Sequence, residues 1–184
     1  MEIHIFVTRS EKYKTTEDGL YFVSFSIVGF MDVFTRRIYQ EILVESFIFC
    51  QLEKNLKLYC YCIVTNHVHF IASSDNGSLS NLLRDFKSFT AIKVMDAISN
   101  NIQESRKEWL QAQFKYYGSK SPQKQINQFW KHDNHPFYLY NTKMIEQKVN
   151  YIHNNPVEAG FVNYAHEWRP SSANEQSPIK VLKF

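Results

Sequence analysis

Apolar and polar residues alternate from Leu20 to Val28, with Tyr21, Val23, Phe25 and Ile27 on one side and Ser24 and Ser26 on the other. A period of two over that length predicts a half-buried strand. From Arg36 to about Glu53 the period lengthens: Ile38, Tyr39, Ile42, Leu43, Phe49 and Cys50 fall at helical spacing and predict an amphipathic helix. Two β-rich runs follow, Leu58 to Val64 and His67 to Ala72, parted only by Thr65 and Asn66, and they predict a hairpin or tightly bent strand pair. Ser78 or Ser80 is placed to cap a second helix that turns Leu82, Leu83, Phe86, Phe89 and Val94 inward. Asn100 to about Tyr117 reads as a polar helical insertion anchored by Trp109, Leu110 and Phe114, with a loop from Gly118 to Asn127. The aromatic stretch Phe129–Tyr140 is interrupted by Pro136, which suits an edge strand. A last helix is expected from about Thr142 until Pro156 stops it.

Strand, helix, strand, strand, helix, insertion, strand, helix is the plan of a ferredoxin-like α+β fold, an antiparallel sheet backed by helices. The expected organisation is one domain over residues 1–184, with an insertion at about 100–128 and a tail at about 174–184 that is polar and then apolar. At 184 residues the chain is long enough to bury a core without disulfides or a structural metal. A net charge of +3 permits nucleic-acid binding, but any phosphate-binding surface must come from local clustering. The odd count of three cysteines makes no disulfide framework and points to a reducing, cytoplasmic setting. Cys60 and Cys62 are read as small buried hydrophobes. The start of the chain is too charged for a signal peptide, and no apolar run is long enough to span a bilayer, so no membrane partner is expected.

Candidate chemistry begins at NHVHF, residues 66–70. On a strand, His67 and His69 project to one face about 7 Å apart, while Val68 and Phe70 enter the core. Two imidazoles so placed can converge on one cation, yet a metal site normally needs a third ligand. KVNYIHNNPVEAG, residues 148–160, supplies one: Tyr151 and Asn155 are four apart and share a helical face. Mg²⁺ or Mn²⁺ accepts an amide oxygen, and Mn²⁺ tolerates imidazole well.

The pieces YCIVTNHVHFI, LLRDFKSFTAIKV, QFWKHDNHP and YIHNNPVEAGFVNYAHEWRPSSA occur in the order found in the single-tyrosine HUH transposases, and the chain most resembles their REP-associated tyrosine transposase-like branch over roughly residues 20–173. The resemblance implies that His67 and His69 hold the metal, that Tyr151 is the nucleophile, and that Asn155 completes the metal site. Insertion-sequence members carry a glutamine at that last place, whereas the asparagine matches the REP-associated branch. It further implies cleavage and rejoining of single-stranded or hairpin DNA through a 5′-phosphotyrosine, with release of a 3′ hydroxyl. Lys87 is then the first candidate for a phosphate contact, with Arg84, Lys120, Lys124 and Lys131 as further DNA-binding candidates and His132 and His135 as candidates for proton transfer.

Two readings compete with an active enzyme. A domesticated, catalytically silent hairpin binder would have no need to keep Tyr151, His67 and His69 together. An RNA-binding ferredoxin-like domain would show an aromatic strand motif that this chain lacks. The sequence leaves open whether the Tyr151 helix completes its own site or, in a homodimer, a partner's.

Overall fold

The computed structural model describes residues 15, 19–75, 78–132 and 136–184. Among these residues four strands form one antiparallel sheet in the order β2-β3-β1-β4, with β1 at Tyr21–Ser26, β2 at Leu56–Ile63, β3 at His67–Ser74 and β4 at Phe137–Tyr138. Helix α1 (Arg37–Glu53) crosses from β1 to β2, α2 (Leu79–Asn100) follows β3, α3 (Lys107–Lys120) is the insertion, and α4 (Thr142–Glu158) follows β4. This is the ferredoxin-like α+β plan expected from the sequence.

The alternation in β1 sorts the molecule into two layers. Val23, Phe25 and Ile27 join Phe70 of β3, Phe47 of α1 and Phe86 of α2 in the main core. The reverse face of the sheet carries a smaller cluster in which Cys60, Cys62 and Ile71 meet Leu139 and Ile152, so α4 packs opposite α1 and α2. A bulge between Leu58 and Cys60 lets β2 serve both layers, since Leu58 pairs with Ala72 but Cys60 pairs with Ile71. Both thiols are buried there as expected, and burial pushes each up to about 12, far from any thiolate role.

Several boundaries differ from the expectation, each for a physical reason. Phe89 and Phe49 face solvent, at 52% and 54% exposure, because the buried stripes are Leu83–Phe86–Thr90–Val94 on α2 and Tyr39–Leu43–Phe47–Cys50 on α1. Ser78 is the N-cap of α2 by position but its hydroxyl caps nothing; the Ser80 amide instead donates to Thr15 Oγ1 at 3.2 Å. The insertion turns at residues 101–106, where Glu104 is buried between Arg36 and Arg106. Trp109 is half exposed, leaving Leu110 and Phe114 as the anchors. Gly118 lies within α3 rather than opening a loop, and a Cβ there would meet the Gln125 carbonyl at 2.6 Å, so the returning chain packs on that glycine.

Among the described residues, the aromatic stretch 129–140 contributes the two residues of β4, against Tyr21 and Phe22, and an isolated bridge from Trp130 to Ile27. Helix α4 runs two residues past Pro156, closed by Gly160 at φ +76° with Gly160 N–H donating to Val157 and Phe161 N–H to Pro156. That paired closure ties the last carbonyls and lets the helix outlast its proline. The tail turns back along the outer edge of β2, with bonds from Ile63 N–H to Pro170, Ser172 N–H to Tyr61 and Leu182 N–H to Leu58.

Candidate active site

His67 and His69 leave β3 on the α4 face, and their rings converge to 4.6 Å between centroids, closer than the backbone spacing alone would set them. Tyr151 and Asn155 come down from α4 on one helical face. The Tyr151 hydroxyl shares a 3.3 Å hydrogen bond with His69 Nε2, and Asn155 Oδ1 lies 3.2 Å from His67 Nε2. All four side chains belong to one chain, so no second copy is needed to bring them together. Tyr151 is 40% exposed whereas His69 is only 6% exposed, which sets the nucleophile candidate at the mouth and the imidazole beneath it.

The orientation of His67 is determined by residues that the sequence reading passed over. Asp32 Oδ1 accepts from Thr65 Oγ1 at 2.6 Å and from Asn66 Nδ2 at 2.9 Å. With its amide nitrogen committed to that carboxylate, Asn66 turns its oxygen to His67 Nδ1 at 2.6 Å. Nδ1 therefore carries the proton, and Nε2 presents a lone pair toward Asn155. Asn66 stood beside His67 in the motif, a signal that was available; Asp32 is 35 residues away, and only the fold delivers it.

Burial pushes His67 below the ordinary histidine range, with the Asn155 contact and the Asp32 charge partly offsetting it. His69 is held further down, to about 3, first by burial and then by the positive influence of His67 and Lys148. Both rings are thus neutral near neutral pH, the form in which imidazole binds a metal. His69 Nδ1 is buried with no hydrogen-bond partner among the described residues. The donor set fits a divalent ion: neutral imidazole nitrogens and an amide oxygen that otherwise faces a lone pair. It contains no carboxylate, and among the described residues no group of three or more His, Cys, Asp or Glu could hold an ion.

Lys148, one turn before Tyr151, is the basic residue that the structure adds to this site. Its Nζ lies 4.5 Å from the Phe22 ring centroid, 5.3 Å from Tyr151 and 5.6 Å from Phe137. Phe22 also stacks on His69, with 5.4 Å between centroids. His153, by contrast, points away to Ser172 and Cys60.

The basic residues expected from sequence are dispersed. Arg84 and Lys87 ride on α2, on the other side of the sheet. Arg84 is paired with Asp85 at 2.9 Å, and Lys87 Nζ donates to the Lys131 carbonyl at 2.7 Å beneath the Phe25 ring. Lys131 approaches the site through its backbone, its N–H donating to Ser26, the β1 residue opposite His67, while its Nζ sits over Phe30. Lys120 lies over Tyr116 at the end of α3, and Lys124 is exposed in the following loop. His132 contacts Ser121 at 3.3 Å and, with Lys87, lines a groove beside α2. His135 lies outside the described residues.

Fold and site together define a ferredoxin-like chain in which a histidine pair on the central sheet faces a tyrosine helix. The chain belongs to the IS200-like transposase family, whose pattern matches residues 31–129. That span contains His67 and His69 and ends before α4. A solved structure of the REP-associated tyrosine transposase bound to a REP hairpin superposes with a TM-score of 0.60 at 16% identity, over 85% of this chain and 78% of that one. At that identity the likeness establishes the fold. A comparison with curated proteins finds no match. Among the described residues no helix is long and apolar enough to cross a membrane.

Proposed function

We propose that this protein cuts and rejoins single-stranded or hairpin DNA, with Tyr151 as the nucleophile and Mg²⁺ or Mn²⁺ held by His67, His69 and Asn155. The observation that carries the reading is the meeting, within one chain, of the Tyr151 hydroxyl with His69 and of Asn155 with His67. The family supports DNA strand transfer as the reaction class, and the hairpin bound by the structural relative supports the substrate class.

The ion, when bound, would supply Lewis-acid polarisation of a non-bridging phosphate oxygen. The remaining work falls to side chains. Asn66 and Asp32 fix the His67 tautomer so that its donor nitrogen faces the site. Helix α4 holds the Tyr151 hydroxyl beside the histidine pair, and its oxygen attacks phosphorus in line with the departing 3′ oxygen. The phenolic proton passes to water, the P–O3′ bond breaks, and the 3′ oxygen takes up a proton from water as the phosphate remains on Tyr151. Because one phosphoester replaces another, rejoining needs no nucleotide cofactor.

The test is incubation with hairpin DNA carrying a single-stranded flank and Mn²⁺, followed by denaturing electrophoresis. Wild type should form an adduct through the 5′ phosphate, and Tyr151→Phe should bind the same DNA and form none. Cleavage by the variant would move the nucleophile elsewhere. Binding by the wild type without cleavage of any flanked hairpin would leave a hairpin-binding protein in place of an enzyme.

A further inference from the structure

Beside Tyr151 the α4 face of the sheet carries a cation among rings that the reaction outlined above does not use. Lys148 lies half-buried against Phe22, Phe137 and Tyr151, and among the described residues it forms no ion pair. An ammonium against aromatic faces gains from the ring quadrupoles yet keeps its full charge for an incoming anion. Phe137 is 49% exposed on the two-residue edge strand β4, in register with Phe22. An exposed ring, a cation without a carboxylate and an exposed phenol therefore form one continuous patch. Those are the elements that hold a single-stranded nucleotide: a ring for the base and a charge for the phosphate.

The geometry points to a subsite for one unpaired nucleotide, in which Lys148 contacts the phosphate facing Tyr151 and Phe137 stacks the attached base. This rests on the reading of Tyr151 as the nucleophile. The subsite gives flank recognition a location apart from the groove beside α2, where Arg84 is already paired with Asp85.

Binding measured in EDTA, so that no divalent ion is available for cleavage, tests the subsite apart from whether Tyr151 is the nucleophile. Fluorescence anisotropy would compare a bare DNA hairpin with the same hairpin bearing a single-stranded flank. Lys148→Met should weaken flanked-hairpin binding about tenfold and reduce the slope of log K against log salt by about one, with the bare hairpin unaffected. Phe137→Ala should weaken flanked-hairpin binding by about tenfold at an unchanged salt slope, as loss of one stacking contact requires. Lys148→Arg should restore the slope, which a merely structural role would not predict, and Lys148→Gln serves if the methionine variant does not fold. An undiminished salt slope in Lys148→Met or Lys148→Gln, or undiminished flank affinity in Phe137→Ala, would overturn the subsite.

Discussion

A single amide decides which nitrogen of His67 faces the site. Asn66 is clamped by Asp32 on one side and spends its oxygen on His67 Nδ1, so the donor nitrogen is presented without any acid touching it directly. Replacing Asn66 with Ala should leave the fold in place but free the ring to change tautomer. We expect the Mn²⁺-induced rise in melting temperature to persist in Asn66→Ala but to need about tenfold more ion, as loss of a group that orients a ligand does. His67→Ala should abolish the rise altogether. An unchanged shift in His67→Ala would place the ion elsewhere. At the same scale, Glu104 has a fully buried carboxylate: burial raises its pKa, but hydrogen bonds from the Arg106 side chain and backbone and from Arg36 outweigh that and hold it at about 2. A depressed carboxylate stabilises the fold above its ordinary pKa, and that contribution fades as pH falls from about 4.5 through about 2. Glu104→Gln should therefore cost about 2–3 kcal/mol at pH 7. In urea titrations across pH, its deficit against wild type should close by about pH 2.

At the scale of elements, the site is a strand read against a helix, and both halves were legible. Period two in β3 put His67 and His69 on one face, and the four-residue step in α4 put Tyr151 with Asn155. Periodicity could not show what stands opposite. Lys148 matters because of Phe22 on β1 and Phe137 on β4, and those neighbours are set by sheet order. Arg84 and Lys87 looked like a basic helix face, but which side of the sheet α2 covers is decided by packing. The end of α4 was misjudged for a related reason: proline penalises a helix locally, while the closure through Gly160 and Phe161 adds bonds that a local rule omits. Nothing lies within 4 Å of a Cβ at Gly160, so Gly160→Ala isolates the cost of its φ of +76°. We expect a loss of about 1 kcal/mol in urea unfolding, with α4 fraying near Asn155. A neutral result would mean that the positive φ at this position carries no strain for a side chain.

Across the whole molecule, two parts remote in sequence brace the site. Arg106 at the start of α3 donates to the Asp32 carbonyl at 2.9 Å and grips Glu104, so the insertion supports the loop that holds Asn66. The other brace is the chain's return along β2, where bonds at Leu58, Tyr61 and Ile63 are joined by one from Trp168 Nε1 to the Ile63 carbonyl. An uncovered strand of eight residues is a template for pairing with any other extended chain. On the far border β4 pairs with Tyr21 and Phe22, and bonds from Lys131 N–H to Ser26 and from Val28 N–H to Phe129 tie the other end of β1. The return segment thus acts as a chaperone built into the polypeptide. A version ending at Arg169 should fold its helices, yet self-associate through β2 and scatter light at concentrations where the intact chain stays clear.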